Sequence, residues 1–84
     1  MPTGDADRIR QHVLDTYIAR ARAQGKSYVE VRARDVNIDL NLKKHYRNIR
    51  QTLEGEKFQN LAQVSPPKQI GPRESASTVF RFRL

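Results

Sequence analysis

Between Lys43 and Arg50 the chain places four cations in eight residues, Lys43, Lys44, Arg47 and Arg50, with no acid among them. His45, Asn48 and Gln51 stand in the same stretch. An arginine fork matches the two acceptors on the edge of guanine, and an Asn or Gln amide matches adenine. Cations nearby can neutralise phosphates, which positions a protein without reading sequence. The plain alternative is a solvated helix face, and the lack of any acid in the run argues against it. A second set of cations, Lys68, Arg73, Arg81 and Arg83, lies near the end of the chain. Charged residues on an edge strand also deter aggregation, so this set has two readings of equal standing.

Catalytic chemistry lacks its parts. His12 and His45 are the only histidines and no cysteine accompanies them. A metal site would need Asp or Glu partners at a spacing that is absent. The "EGEK" at 54–57 lacks the further glycines and the following Ser or Thr of a phosphate loop. Glu30 and Arg32 could form part of a nuclease site, but the other carboxylates are missing. The sequence therefore predicts no catalysis, no metal and no cofactor.

The composition agrees with a binding role. Sixteen Lys and Arg against nine Asp and Glu give a formal charge of +7 and a pI near 10.4. Such an excess on a small domain suggests a polyanionic partner. The acids gather elsewhere, at Asp5, Asp7 and Asp15 and at Glu30, Asp35 and Asp39. Eighty-four residues make a single domain, 1–84, with 1–4 as a flexible lead-in. The 37% hydrophobic content suffices for one modest core. Without cysteine, neither a disulfide nor a thiolate site can staple it. No long apolar run suggests a signal peptide or a membrane span. A soluble cytoplasmic protein is expected, with no small-molecule ligand.

Several elements must hold these residues in place. Ile9, Val13, Tyr17 and Ala21 recur at helical spacing, widened by Leu14 and Ile18, and predict a first helix over 5–24. Asp5 suits its N-cap and Gly25 its left-handed C-cap. Arg8, Arg10, Arg20 and Arg22 on this helix read as solvated or dipole-complementing. "SYVEVRA" at 27–33 alternates as a short strand. "STVFRFRL" at the far end alternates again, with Thr78, Phe80, Phe82 and Leu84 towards the core and Val79, Arg81 and Arg83 away. Tyr28, Tyr46 and the three phenylalanines mostly fit the core. Between the central helix and the last strand, "VSPPKQIGPRESAS" is too rich in Pro, Gly and Ser for a helix. Residues 68–70 can still pair with the last strand, at a sheet edge because of Pro66 and Pro67, in a hairpin whose tip is 71–77.

The segment 36–53 changes rhythm. Val36, Ile38, Leu40 and Leu42 alternate like a strand, whereas Leu42, Tyr46, Ile49 and Leu53 follow a helix. A strand would have to leave "SYVEVRA" through a turn at Arg34 and Asp35, which lacks the Gly or Asn that a tight hairpin wants. Asn41 is well suited to a left-handed turn position where the rhythm breaks. We therefore expect a helix, a turn and a second helix, with Ile38 off the buried stripe.

On these residues, "DVNIDLNLKKHYRNIRQTL" resembles a helix-turn-helix. Leu40, Asn41 and Leu42 stand where that family has an apolar residue, Gly and another apolar residue. With a helix and strand before it and a hairpin after it, the whole resembles the winged helix-turn-helix superfamily over about 5–84. The apolar Tyr46 and Ile49 come one place earlier than the family's usual register. The resemblance implies an α+β domain in the order helix, strand, helix, helix, strand, strand, binding double-stranded DNA and regulating transcription. It implies that the second motif helix lies in the major groove. Lys44, Arg47, Asn48 and Gln51 would then read bases. Lys43, His45 and Arg50, with Lys68, Arg73, Arg81 and Arg83 of the hairpin wing, would meet the backbone. A homodimer on a two-fold site is expected, through the first helix or the chain ends. An RNA or ribosome-associated winged helix, and a protein module with an acidic partner, are the rival readings.

Overall fold

The four-residue spacing of apolar side chains builds a first helix, made of α1 (Asp5–Val13), one π-helical turn (Leu14–Ile18) and α2 (Ala19–Ala23) in direct succession. These elements belong to a computed structural model in which residues 4–84 are described. The lead-in expected over 1–4 thus lies outside the described residues, apart from Gly4. Gly4, not Asp5, is the N-cap, and Asp5 sits with Asp7 in the first turn, where both complement the helix dipole. A π-turn holds more residues than an α-turn. The buried stripe accordingly steps from Val13 to Ile18, leaving Tyr17 partly buried at its margin. Gly25 ends the helix at φ 71°, and the Lys26 N–H reaches back to the Ala21 carbonyl at 3.0 Å.

Alternation then builds the sheet. β1 (Tyr28–Arg32), β2 (Lys68–Ile70) and β3 (Val79–Arg83) form one antiparallel sheet in the order β1-β3-β2. Register pairs Tyr28 with Arg83, Glu30 with Arg81 and Lys68 with Arg81. Val31, Phe80 and Phe82 face the core, and Arg81 and Arg83 face outward, as the alternation predicts. Tyr28 departs from expectation. It shares the outer face with Glu30 and Arg32, because strand parity puts Val29 and Val31 inside, and it is 46% exposed.

The ambiguous segment is helical. α3 (Ala33–Leu40) buries Ala33 and Val36 and leaves Ile38 59% exposed. Asn41 caps it at φ 54°, ψ 55°, in the left-handed region. The next helix, α4 (Tyr46–Leu53), starts later than the periodicity suggests. Lys43 and Lys44 also have positive φ, 55° and 65°, so the chain cannot wind into a right-handed helix before His45. Leu42 still enters the core from this turn. The Asn37 side-chain oxygen accepts the Lys44 N–H at 2.6 Å, and the Asn37 carbonyl accepts the Leu42 N–H at 3.0 Å. Left-handed backbone costs a β-branched residue most, on the order of 1–2 kcal/mol. Asn41→Val should lose about that much in a urea melt, while Asn41→Gly should cost less than half as much.

A further helix, α5 (Glu56–Ala62), follows a break at Gly55 that the sequence does not predict. A Cβ on Gly55 would lie 3.0 Å from the Gln51 carbonyl oxygen, so any side chain at this break would press on the end of α4. The restart directs Phe58 and Ala62 inward, and Phe58 meets Phe82 edge-on at 5.3 Å between ring centroids. One core of Ile9, Val13, Ile18, Val31, Val36, Ile49, Leu53 and these aromatics joins helices to sheet. The hairpin loop is tied to the start of α3: the Ala33 N–H donates to the Thr78 carbonyl at 2.9 Å and the Arg34 N–H to the Ala76 carbonyl at 3.2 Å.

Candidate nucleic-acid interface

Ile49 is fully buried on α4 and fixes which way the helix faces. Arg47 and Gln51 are one turn apart on the opposite side, and both are exposed. The Arg47 side chain is 75% accessible, the most open of the cations that form an ion pair here. Lys43, Lys44 and His45 precede the helix in the turn 41–45, and all three are exposed. This moves Lys44 off the helix face where periodicity puts it. It now stands beside Lys43, with its backbone held by Asn37. Asn48 lies half-buried at the flank of α4, its amide oxygen accepting the Thr52 hydroxyl at 3.3 Å.

Arg50 has a different position from the one the sequence suggests. Its side chain is only 14% exposed and lies between two carboxylates, Glu54 at 3.2 Å and Glu74 at 3.1 Å. Glu74 comes from the hairpin loop and also approaches Arg47 at 3.4 Å. The run without acids thus acquires one from a distant part of the chain, a pairing that no local pattern signals. Arg50 is a strut between α4 and the hairpin loop, with its guanidinium taken up by these carboxylates and not free for a phosphate. Arg50→Ala would strand Glu54 and leave Glu74 with Arg47 alone, both carboxylates being partly shielded from water. We expect a loss of about 1–2 kcal/mol in chemical denaturation. Arg50→Lys should recover only part of it, since lysine lacks the fork.

The first helix borders the same surface. Arg8 donates to the Leu40 carbonyl at 2.8 Å and pairs with Asp5 at 3.3 Å. Asp5 also lies 3.8 Å from His45. Arg8, set aside in the sequence as merely solvated, is therefore a cation next to the turn. Only the fold could reveal this, because 32 residues separate it from Leu40. His12 likewise joins α1 to α3 through Asp39 at 3.0 Å. Burial, and then the charges of Asp39 and Asp35, push the phenol of neighbouring Tyr17 above its usual 10.0.

The cations of the hairpin divide into two groups. Arg73 is exposed in the hairpin loop, next in sequence to Glu74, which meets α4. Lys68, Arg81 and Arg83 instead face outward from the sheet, on the side opposite the core. Along β3, Arg83 is four residues beyond Val79, roughly 13 Å from where the hairpin opens towards its tip. The turn with α4 and the outer sheet face are thus two basic surfaces. Comparison with protein-family models, with curated proteins and with solved structures found no match. Among the described residues there is no cluster of three His, Cys, Asp or Glu fit to hold a metal ion. No described helix is long and apolar enough to cross a membrane.

Proposed function

We propose that this chain is a winged helix-turn-helix protein that binds double-stranded DNA and acts as a transcriptional regulator. The observation that carries the reading is the exposed pair Arg47 and Gln51, opposite buried Ile49 and directly beside Lys43 and Lys44 in the turn. Arg47 and Gln51 read base edges in the major groove, and Lys43, Lys44 and Arg8 neutralise the flanking phosphates. The helical order and the β1-β3-β2 sheet, with the hairpin loop docked on α3 and α4, support a wing beside a recognition helix. α5 is an addition to the six elements that the superfamily resemblance implies. Arg73 at the wing tip reaches the backbone alongside α4.

Glu74 gives the surface a second property. A phosphate approaching Arg47 competes with a carboxylate that already pairs with it. This lowers affinity for any anion presented without the right geometry, and so favours sequence over charge alone. Fluorescence anisotropy on a mixed-sequence duplex tests the reading. Affinity should fall steeply between 50 and 200 mM salt, with a slope near −0.9 for each phosphate contact. Absence of duplex binding at 50 mM salt would rule the reading out.

A further inference from the structure

The second basic surface is concave. Ser27, Tyr28, Ser65, Lys68, Arg81 and Arg83, with Pro66, line a groove of about 540 Å³ on the outer face of the sheet. Its position is set by strand parity: Tyr28, Arg81, Arg83 and Lys68 fall on adjacent outward positions of the three strands. None of the three cations takes part in an ion pair among the described residues. Glu30, which faces Arg81 in register, does not line the groove. The Arg81 guanidinium carbon lies 4.0 Å over the Tyr28 ring, so the groove has a stacked π surface at one end. Both lining hydroxyls, of Ser27 and Ser65, can donate to a phosphate or a base.

We infer that this groove binds single-stranded nucleic acid, with its phosphates on Lys68 and Arg83 and one base on the Tyr28–Arg81 pair. A basic groove with an aromatic platform is the combination that holds a single strand, because every base has a π face and every link a negative charge. A guanidinium plane stacks on a base as readily as a ring does. The groove's volume suits a nucleotide-sized piece of chain. Acidic peptides would use the cations but leave the exposed Tyr28 and Arg81 stack idle. Tyr28 at one mouth of the groove is 46% exposed, although strand-forming tyrosines can bury their rings. The turn 41–45 adjoins the start of α1 through Asp5, whereas the groove adjoins Ser27, beyond the end of α2. One chain therefore carries two nucleic-acid surfaces at opposite ends of its first helix.

Anisotropy with fluorescein-labelled dT12 and U12, run beside a labelled duplex, tests this on the intact chain. Wild type should bind the single strands in low salt, and Tyr28→Ala should weaken that binding roughly 5- to 150-fold. Tyr28→Phe should stay within about twofold, since it keeps the stacking face. Lys68→Ala with Arg83→Ala should lower the single-strand salt slope by about 1.4. Lys43→Ala with Lys44→Ala should weaken single-strand binding less than Lys68→Ala with Arg83→Ala does. Comparing dT12 with U12 tells whether the strand is DNA or RNA, and excess inorganic phosphate or UMP should compete only weakly. Thermal melts of each variant check that the fold is intact. Wild type that binds duplex but neither oligonucleotide would overturn the inference while leaving the duplex reading in place. Single-strand binding without duplex binding would do the reverse. Equal binding by Tyr28→Ala and wild type would also overturn it.

Discussion

Lys43→Ala, Lys44→Ala and Arg47→Ala combined should abolish measurable duplex binding at moderate salt. Hydrogen bonds to charged partners contribute roughly 1.5–3 kcal/mol each. Losing three contacts therefore corresponds to more than about 4 kcal/mol, on the order of a thousandfold in affinity. Lys43 and Lys44 are the two phosphate contacts among them, so the slope of log affinity on log salt should shrink by about 1.8. The separate substitutions should differ in kind. Arg47→Ala and Gln51→Ala should relax sequence preference, each by about 1–3 kcal/mol at one base position. Lys43→Ala should weaken all sequences alike. All of these side chains are exposed and outside the core, so stability should change by no more than about 0.5 kcal/mol. Unaltered duplex affinity in the triple variant would exclude the turn and α4 as the binding surface.

Phe82→Ala should remove a large part of the domain's stability. Phe82 is fully buried, packs edge-on against Phe58 at 5.3 Å, and stands in the central strand of the sheet. Truncating such a ring typically costs 3–5 kcal/mol, through lost transfer energy and the cavity left behind. A domain of 84 residues has only about 4–13 kcal/mol to lose. The variant should therefore melt far below wild type, with a broad transition or none at 37 °C in circular dichroism. Phe82 joins the two halves of the structure, since Phe58 belongs to α5 and Phe82 to the sheet. A midpoint within a few degrees of wild type would show that α5 is not part of the cooperative unit. Phe82→Leu, which keeps most of the volume, should cost less than half as much.

Periodicity located most of the elements because it reports which side of each one is buried. The alternation at 78–84 placed Phe80 and Phe82 inward and Arg81 and Arg83 outward, and the strand register agrees. Asn41 signalled the end of α3, and its left-handed backbone bears that out. The start of α4 was not legible. Lys43 and Lys44 adopt left-handed conformations that nothing in lysine favours, and the Asn37 bond that holds them spans seven residues. The π-turn in the first helix was also hidden, because Tyr17 and Ile18 are equally apolar neighbours on the helical pattern. Glu74 shows the same limit at the candidate site: a run of cations is read locally, whereas its counter-charge arrives through the fold. The division of the wing cations between two surfaces follows from strand parity together with the pairing order, and the sequence supplies only the first.

The most direct test is an amide chemical-shift titration of the labelled chain with an unlabelled duplex. If the turn and α4 dock in the major groove, the largest shifts should fall within 41–51, extend to Arg8 and Arg73, and weaken together as salt is raised. Shifts confined to Tyr28, Lys68, Arg81 and Arg83, with 41–51 unmoved, would contradict the account.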